Sequence, residues 1–220
     1  MAHPTIIMGF DPGETTGFAK LHLVDREIEV MDYGLIPVKS EKFYSEVWKW
    51  LEGYLHQIVF EDKQLETLKD RLFFGIEAPI PRKIYAGGQV KSDEVRGMLK
   101  AAAEDYGIKY YLYQATSVKK SFGSGRYTKA QLRRVVQMVL KTGPLKSPDV
   151  ADALAVATCC ALREFKADLG MENSYQPAPR PRRKKKKISE YTDDQIRQAI
   201  QEKRVVMKGK RIVKIIESRK

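Results

Sequence analysis

Residues 148–157 read Pro-Asp-Val-Ala-Asp-Ala-Leu-Ala-Val-Ala, a stretch so small and apolar that it is made for close packing. The carboxylate inside it, Asp152, restricts what the chain can become more than any other feature. Asp149 and Asp152 lie three apart, which on a helix puts both side chains on one face. Asp149 has an ordinary structural explanation. Ser147 can cap the helix, Pro148 suits its first position, and an acid in the first turn favours the helix dipole. Asp152 has no such explanation, and two like charges at this spacing are unfavourable unless a cation sits between them.

The rest of the chain supplies partners for this helix. A continuous apolar run over residues 5–10, closed by Asp11-Pro12-Gly13, predicts a buried strand, and residues 17–24 and 28–36 extend it into a three-strand meander. Residues 40–59 space Phe43, Val47, Trp48, Leu51, Leu55 and Ile58 at helical intervals. A fourth strand over 72–76 ends at Glu77, a helix over 92–106 stops at Gly107, and a fifth strand covers 109–114. A helix over 128–141 turns Leu132, Val135, Val136 and Val139 inward, and the last long helix opens at Ser147 and runs to about residue 169. The expected fold is α/β, a mixed five-stranded sheet with helices on both faces.

Asp11 stands at the end of a buried strand, where a lone carboxylate is costly unless paired or coordinated, although Asp-Pro-Gly is also ordinary turn chemistry. Glu77 repeats the situation after Phe73-Phe74-Gly75-Ile76, with a solvated loop start as the alternative. Taken with Asp149 and Asp152, these residues would gather four carboxylates in one pocket. Hard oxygen ligands of this kind suit Mg²⁺, with Mn²⁺ able to substitute. Two such ions roughly 3.5–4 Å apart can activate water and stabilise the leaving oxygen in phosphodiester hydrolysis. His3, His22 and His56 show no zinc-ligand spacing.

Charge is unevenly placed. Residues 171–220 carry 16 basic and 6 acidic side chains, out of a net charge of +12 for all 220 residues. Such a tail points to a polyanion, because each cation that neutralises a phosphate releases counterions; a solvated disordered tail is the alternative. The expected organisation is a body over 1–170, a basic Pro/Lys/Arg linker over 171–190 and a small segment over 191–220. In that last segment Thr192-Asp193-Asp194-Gln195 has capping-box spacing before a short helix, and residues 205–207 and 212–216 read as a hairpin. No apolar run approaches the roughly 20 residues of a membrane span. Cys159 and Cys160 are sequence neighbours that offer no loop-closing bridge, so a reduced cytoplasmic compartment is expected.

Ile7-Met8-Gly9-Phe10-Asp11-Pro12-Gly13 with Thr16-Gly17-Phe18, Gly75-Ile76-Glu77, Val95-Arg96-Gly97, Val118-Lys119-Lys120 with Lys129-Ala130-Gln131, and Pro148 to Ala155 resemble, in order, the motifs of the RuvC group of Holliday-junction resolvases. That group lies within the RNase H-like nuclease superfamily. The resemblance implies an RNase H-like fold and a metal-dependent endonuclease that makes paired nicks in four-way junctions. It further implies a homodimer, Asp11, Glu77, Asp149 and Asp152 as the ligands of two Mg²⁺ ions in each subunit, and Lys119 and Lys129 as cations beside the scissile phosphate. The setting would be the nucleoid of a bacterial or phage-infected cell. Two departures are visible. Residues 171–220 have no counterpart, and where the family often places a junction-wedging aromatic this chain has Ala78-Pro79-Ile80-Pro81, with Tyr85 the nearest aromatic. Relaxed cleavage of other branched DNA or of RNA–DNA hybrids, and a non-catalytic nucleic-acid-binding module, stand as alternatives.

Further contacts to DNA are expected from Arg82, Lys83 and Tyr85 in the loop beside Glu77, through phosphate binding and base stacking. Lys120 and Arg126, with Arg133 and Arg134, are candidates to line the same groove, and Arg182, Arg183 and Lys184 to follow phosphates from the linker. For the dimer, the expected interface is the helix over 92–106, through Val95, Met98, Leu99 and Ala102.

Overall fold

Strand alternation sorts the apolar residues into two cores. In a computed structural model that describes residues 3–38, 42–62, 68–79, 87–169, 198, 205–208 and 211–215, the first strand, β1 (Thr5–Asp11), turns Ile6, Met8 and Phe10 to one side and Ile7 to the other. The succession continues with β2 (Gly17–Val24), β3 (Glu27–Leu35), α1 (Phe43–Asp62), β4 (Leu72–Glu77) and α2 (Gly87–Asp105). Then come β5 (Lys109–Tyr113), α3 (Ala115–Ser121), α4 (Lys129–Val139) and α5 (Pro148–Glu164). The sheet order is β3-β2-β1-β4-β5. The meander β1-β2-β3 is antiparallel, whereas β4 joins β1 and β5 joins β4 in parallel. This is the expected mixed five-stranded α/β sheet.

Helices α1 and α2 cover one face, where Val47, Leu51, Leu55, Ile58, Val95 and Leu99 meet Met8, Phe10, Phe74 and Ile76. Helices α3, α4 and α5 cover the other. Every residue of α5 from Val150 to Ala161 is buried, as its small apolar composition requires. Among the described residues no helix is long and apolar enough to cross a membrane.

Four expectations need correction. The α2 side chains proposed for a dimer interface are consumed inside the chain: Val95 and Leu99 are fully buried, Ala102 nearly so, and Met98 packs against the same core. An amphipathic stripe satisfied by its own sheet leaves nothing for a partner. Helix α2 begins at Gly87, ahead of residue 92. Helix α3 was not foreseen, because it buries only Val118 and so shows no apolar period. Helix α5 ends at Glu164, short of residue 169: Lys166 takes a left-handed φ of 54°, and Asp168 N–H then bonds to Arg26 C=O beside the β2–β3 turn.

The chain divides into two compact units, residues 1–177 and 178–220. In the second, β6 (Val205–Lys208) pairs antiparallel with β7 (Arg211–Ile215), with a register shift between Val206 and Met207. The short helix expected after Thr192 lies outside the described residues, save for Gln198, which is helical.

Candidate active site

Asp11 follows Ile7 and Gly9 at the alternate positions of β1 that face α5, and Glu77 follows Phe73 and Gly75 on β4 in the same way. Because β1 and β4 run parallel with Phe10 opposite Ile76, the two carboxylates emerge side by side at the same end of the sheet. Helix α5 runs back over these strands from that end. A Cβ on Gly17 would lie 2.2 Å from the Asp149 carbonyl oxygen, and one on Gly9 would lie 2.4 Å from that of Ala153. Only glycine permits an approach this close, and the approach is what delivers Asp149 and Asp152 to Asp11.

The result is a tight acidic cluster. Asp11, Asp149 and Asp152 offer carboxylate oxygens that all lie within 4.8 Å of one another. Asp11 is hydrogen-bonded to Glu77, which completes the set of four. The Arg96 guanidinium, itself buried, donates from Nε to the Glu77 carbonyl oxygen at 2.8 Å and pairs with Asp93, which fixes the end of β4. Asp149 N–H donates to the Ser147 hydroxyl that caps the helix, and the Thr15 hydroxyl donates to Asp149 Oδ2 at 2.6 Å.

One lysine enters the cluster. Lys129 Nζ lies 3.1 Å from Asp152 Oδ2 and 3.8 Å from Asp149 Oδ1. A capping box between Thr128 and Gln131 starts α4 at this residue. Burial draws its ammonium pKa down, but Asp152, Asp11 and Asp149 outweigh that and the net shift is upward.

The carboxyl groups show the strain of their crowding. Burial first, then the charges of Glu77 and Asp152, push Asp11 up to about 9. Burial raises Glu77 against the hydrogen bond from Asp11, and raises Asp152 against the pull of Lys129. Three carboxyl groups that resist ionising together, with the Asp149 carboxylate beside them, fit a divalent cation that would hold them charged. The donor set is oxygen alone, and that suits Mg²⁺ or Mn²⁺ over zinc.

The other candidates are placed unevenly. Lys119 is half-buried on α3, and its charge lowers the pKa of Asp152; Lys120 and Arg126 are exposed. Residues 115–148 hold eight Lys or Arg and no Asp or Glu. Arg82, Lys83, Tyr85, Arg182, Arg183 and Lys184 lie outside the described residues. Sequence reasoning missed Thr15 entirely, since its contact spans 134 residues, and it gave Arg96 no role beyond a motif.

A family profile described as crossover junction endodeoxyribonuclease RuvC matches residues 7–160, which include all four carboxylates. The RuvC of Ruminiclostridium cellulolyticum is 31% identical over 157 residues, covering 70% of this chain and 90% of that protein. The RuvC of Photobacterium profundum is 33% identical over 159 residues, covering 71% of this chain and 87% of its own. Among solved structures, T. thermophilus RuvC in complex with a Holliday junction substrate aligns at a TM-score of 0.55 and 20% identity, over 71% of this chain and 93% of that one. That last likeness is one of fold.

Proposed function

The chain belongs to the RuvC family of crossover junction endodeoxyribonucleases, and from that membership we propose that Asp11, Glu77, Asp149 and Asp152 form the centre with which it hydrolyses Holliday junctions. The observation that carries this reading is the convergence of three aspartates, from two distant segments, within 4.8 Å. Nothing in a stable fold asks for that arrangement, since the buried like charges oppose folding.

Bound Mg²⁺, in a pair and with Mn²⁺ as a substitute, supplies Lewis acidity toward the scissile phosphate and a water of lowered pKa. The chain's own residues do the rest. Asp11 and Glu77, fixed on adjacent strands, give the site its rigid floor, and Asp149 and Asp152 close it from the helix side. Lys129, held at the cluster by Asp149 and Asp152, would offset charge developing on a phosphate oxygen in the transition state. Lys119 adds positive potential from α3. Lys120 and Arg126, joined by Arg133 and Arg134 of the acid-free stretch, would hold the flanking backbone, with further contacts expected from Arg82, Lys83 and Tyr85, which follow Glu77 in sequence, and from Arg182, Arg183 and Lys184 of the tail.

A symmetric junction needs two such centres related by a two-fold axis, so the working unit is a homodimer acting on DNA in the nucleoid. The free thiols of Cys159 and Cys160 agree with a reducing cytoplasm. The test is Asp152→Asn on synthetic four-way junctions. Cleavage should fall by at least about a thousandfold while junction binding in EDTA persists, with two chains per junction by sedimentation. Cleavage at the unsubstituted rate would sink the ligand assignment.

A further inference from the structure

Thr15 sits in the turn between Asp11 and Gly17, and that turn is clamped from both sides. The Thr16 hydroxyl donates to Gly13 C=O at 2.9 Å and accepts from Gly13 N–H at 3.3 Å. Ile36 N–H donates to Thr16 C=O at 2.9 Å, and Gly17 lies against the backbone of Asp149. Between these anchors the exposed Thr15 hydroxyl reaches Asp149 Oδ2 at 2.6 Å. The other oxygen, Asp149 Oδ1, points to the positive charge at the cluster, 3.8 Å from Lys129 Nζ. The two oxygens are therefore not equivalent: Oδ2 takes the short bond from the turn and a longer one, 3.5 Å, from the Ser147 hydroxyl, whereas Oδ1 is offered to a cation.

We propose that Thr15 is a positioning residue that restricts Asp149 to one ligating oxygen and so biases the centre toward a small six-coordinate cation over a larger one. The inference rests on the reading of Asp149 as a metal ligand. Mg²⁺ and Mn²⁺ accept single-oxygen carboxylates in an octahedral set, whereas Ca²⁺ takes six to eight oxygens and favours carboxylates that give both. A hydroxyl on Oδ2 discourages the second mode. Partners of this kind behind a metal ligand are commonly worth about 10–100-fold in metal affinity.

The experiment compares the full chain with Thr15→Val, which keeps the branched shape without the donor, and Thr15→Ser, which restores the donor. Mn²⁺ and Ca²⁺ binding are measured directly by titration calorimetry in the absence of DNA, and the Mg²⁺ midpoint for junction cleavage is measured alongside. Thr15→Val should weaken Mn²⁺ by about tenfold and Ca²⁺ by much less. The Mg²⁺ midpoint should rise in step, and Thr15→Ser should return all three toward the starting values. Unchanged affinities in Thr15→Val, or equal losses for both ions that Thr15→Ser does not restore, would overturn the proposal. Asp149→Asn separates the two levels. If it abolishes metal binding while Thr15→Val does nothing, only the role of Thr15 fails. If Asp149→Asn binds metal normally, the ligand assignment fails with it.

Discussion

Asp11 carries a consequence for stability that its neighbours share. With no cation present, burial and the nearby Glu77 and Asp152 hold its carboxyl near 9, far above the roughly 3.9 of an unfolded chain. A folded-state pKa above the unfolded value means that folding favours the protonated form. The stabilisation from that proton is full below about pH 4 and is lost as the pH climbs toward 9. Glu77 and Asp152 are shifted upward as well and act in the same sense. In EDTA the melting temperature should therefore decline between pH 5 and pH 9, and Asp11→Asn should flatten the decline and melt a few degrees higher than the unsubstituted chain at pH 8. Saturating Mg²⁺ should reverse that order. Thermal unfolding across pH in both conditions checks it, and identical slopes for the two proteins would count against the coupling. At this scale Asp11 and Asp152 were legible in sequence because a carboxylate in apolar company demands an explanation. Thr15 was not legible, since a surface threonine gives no sign of which distant carboxylate it will meet.

Among the elements, α5 and the glycines beneath it decide whether the site exists. An alanine methyl at position 17 would overlap the Asp149 carbonyl oxygen, so Gly17→Ala must push the start of α5 away from the sheet or tilt it. The cost in stability should be about 1–3 kcal/mol, the usual range for overpacking. Cleavage should fall by more than that loss of folded protein explains, because the displaced end carries two of the four carboxylates. Chemical denaturation and junction cleavage on the same preparation separate the two effects; unchanged cleavage would show that the close approach is not required. Elements with a strong period or a continuous apolar run were readable in advance: β1, β4, α1 and α5. Helix α3 was not, because one buried valine in seven residues makes no pattern. The apolar stripe of α2 was read correctly as a stripe and assigned to the wrong partner. Val95 and Leu99 would look the same in sequence whether they met a second chain or their own sheet.

For the molecule as a whole, the four carboxylates and most of the excess positive charge fall in different parts of the chain. All four carboxylates lie in the unit of residues 1–177, whereas residues 171–220 supply 16 of the 40 basic side chains. A Lys/Arg run beside a proline-rich linker can follow phosphates on any duplex, with a salt slope of about −0.9 per phosphate neutralised. Truncation after Pro177 should weaken binding to linear and four-way DNA by similar factors, flatten the salt dependence, and leave cleavage at saturating enzyme in place. A truncated chain that still binds linear duplex normally but no longer prefers junctions would assign branch recognition to the tail instead. The net charge of the tail was plain from composition, whereas its three-dimensional role was not, because a segment this short has too little apolar surface to dictate one packing.

Helix α5 touches all five strands of the main sheet as well as α3 and α4, and it also brings Asp149 and Asp152 to the site. The same twelve buried residues thus serve as the centre of one core and as the mount for half of the carboxylates. A molecule that frays there loses its cutting edge in the same event that loosens its shape. Unfolding that begins at this helix should therefore yield a blunt protein, not a misshapen one that still nicks.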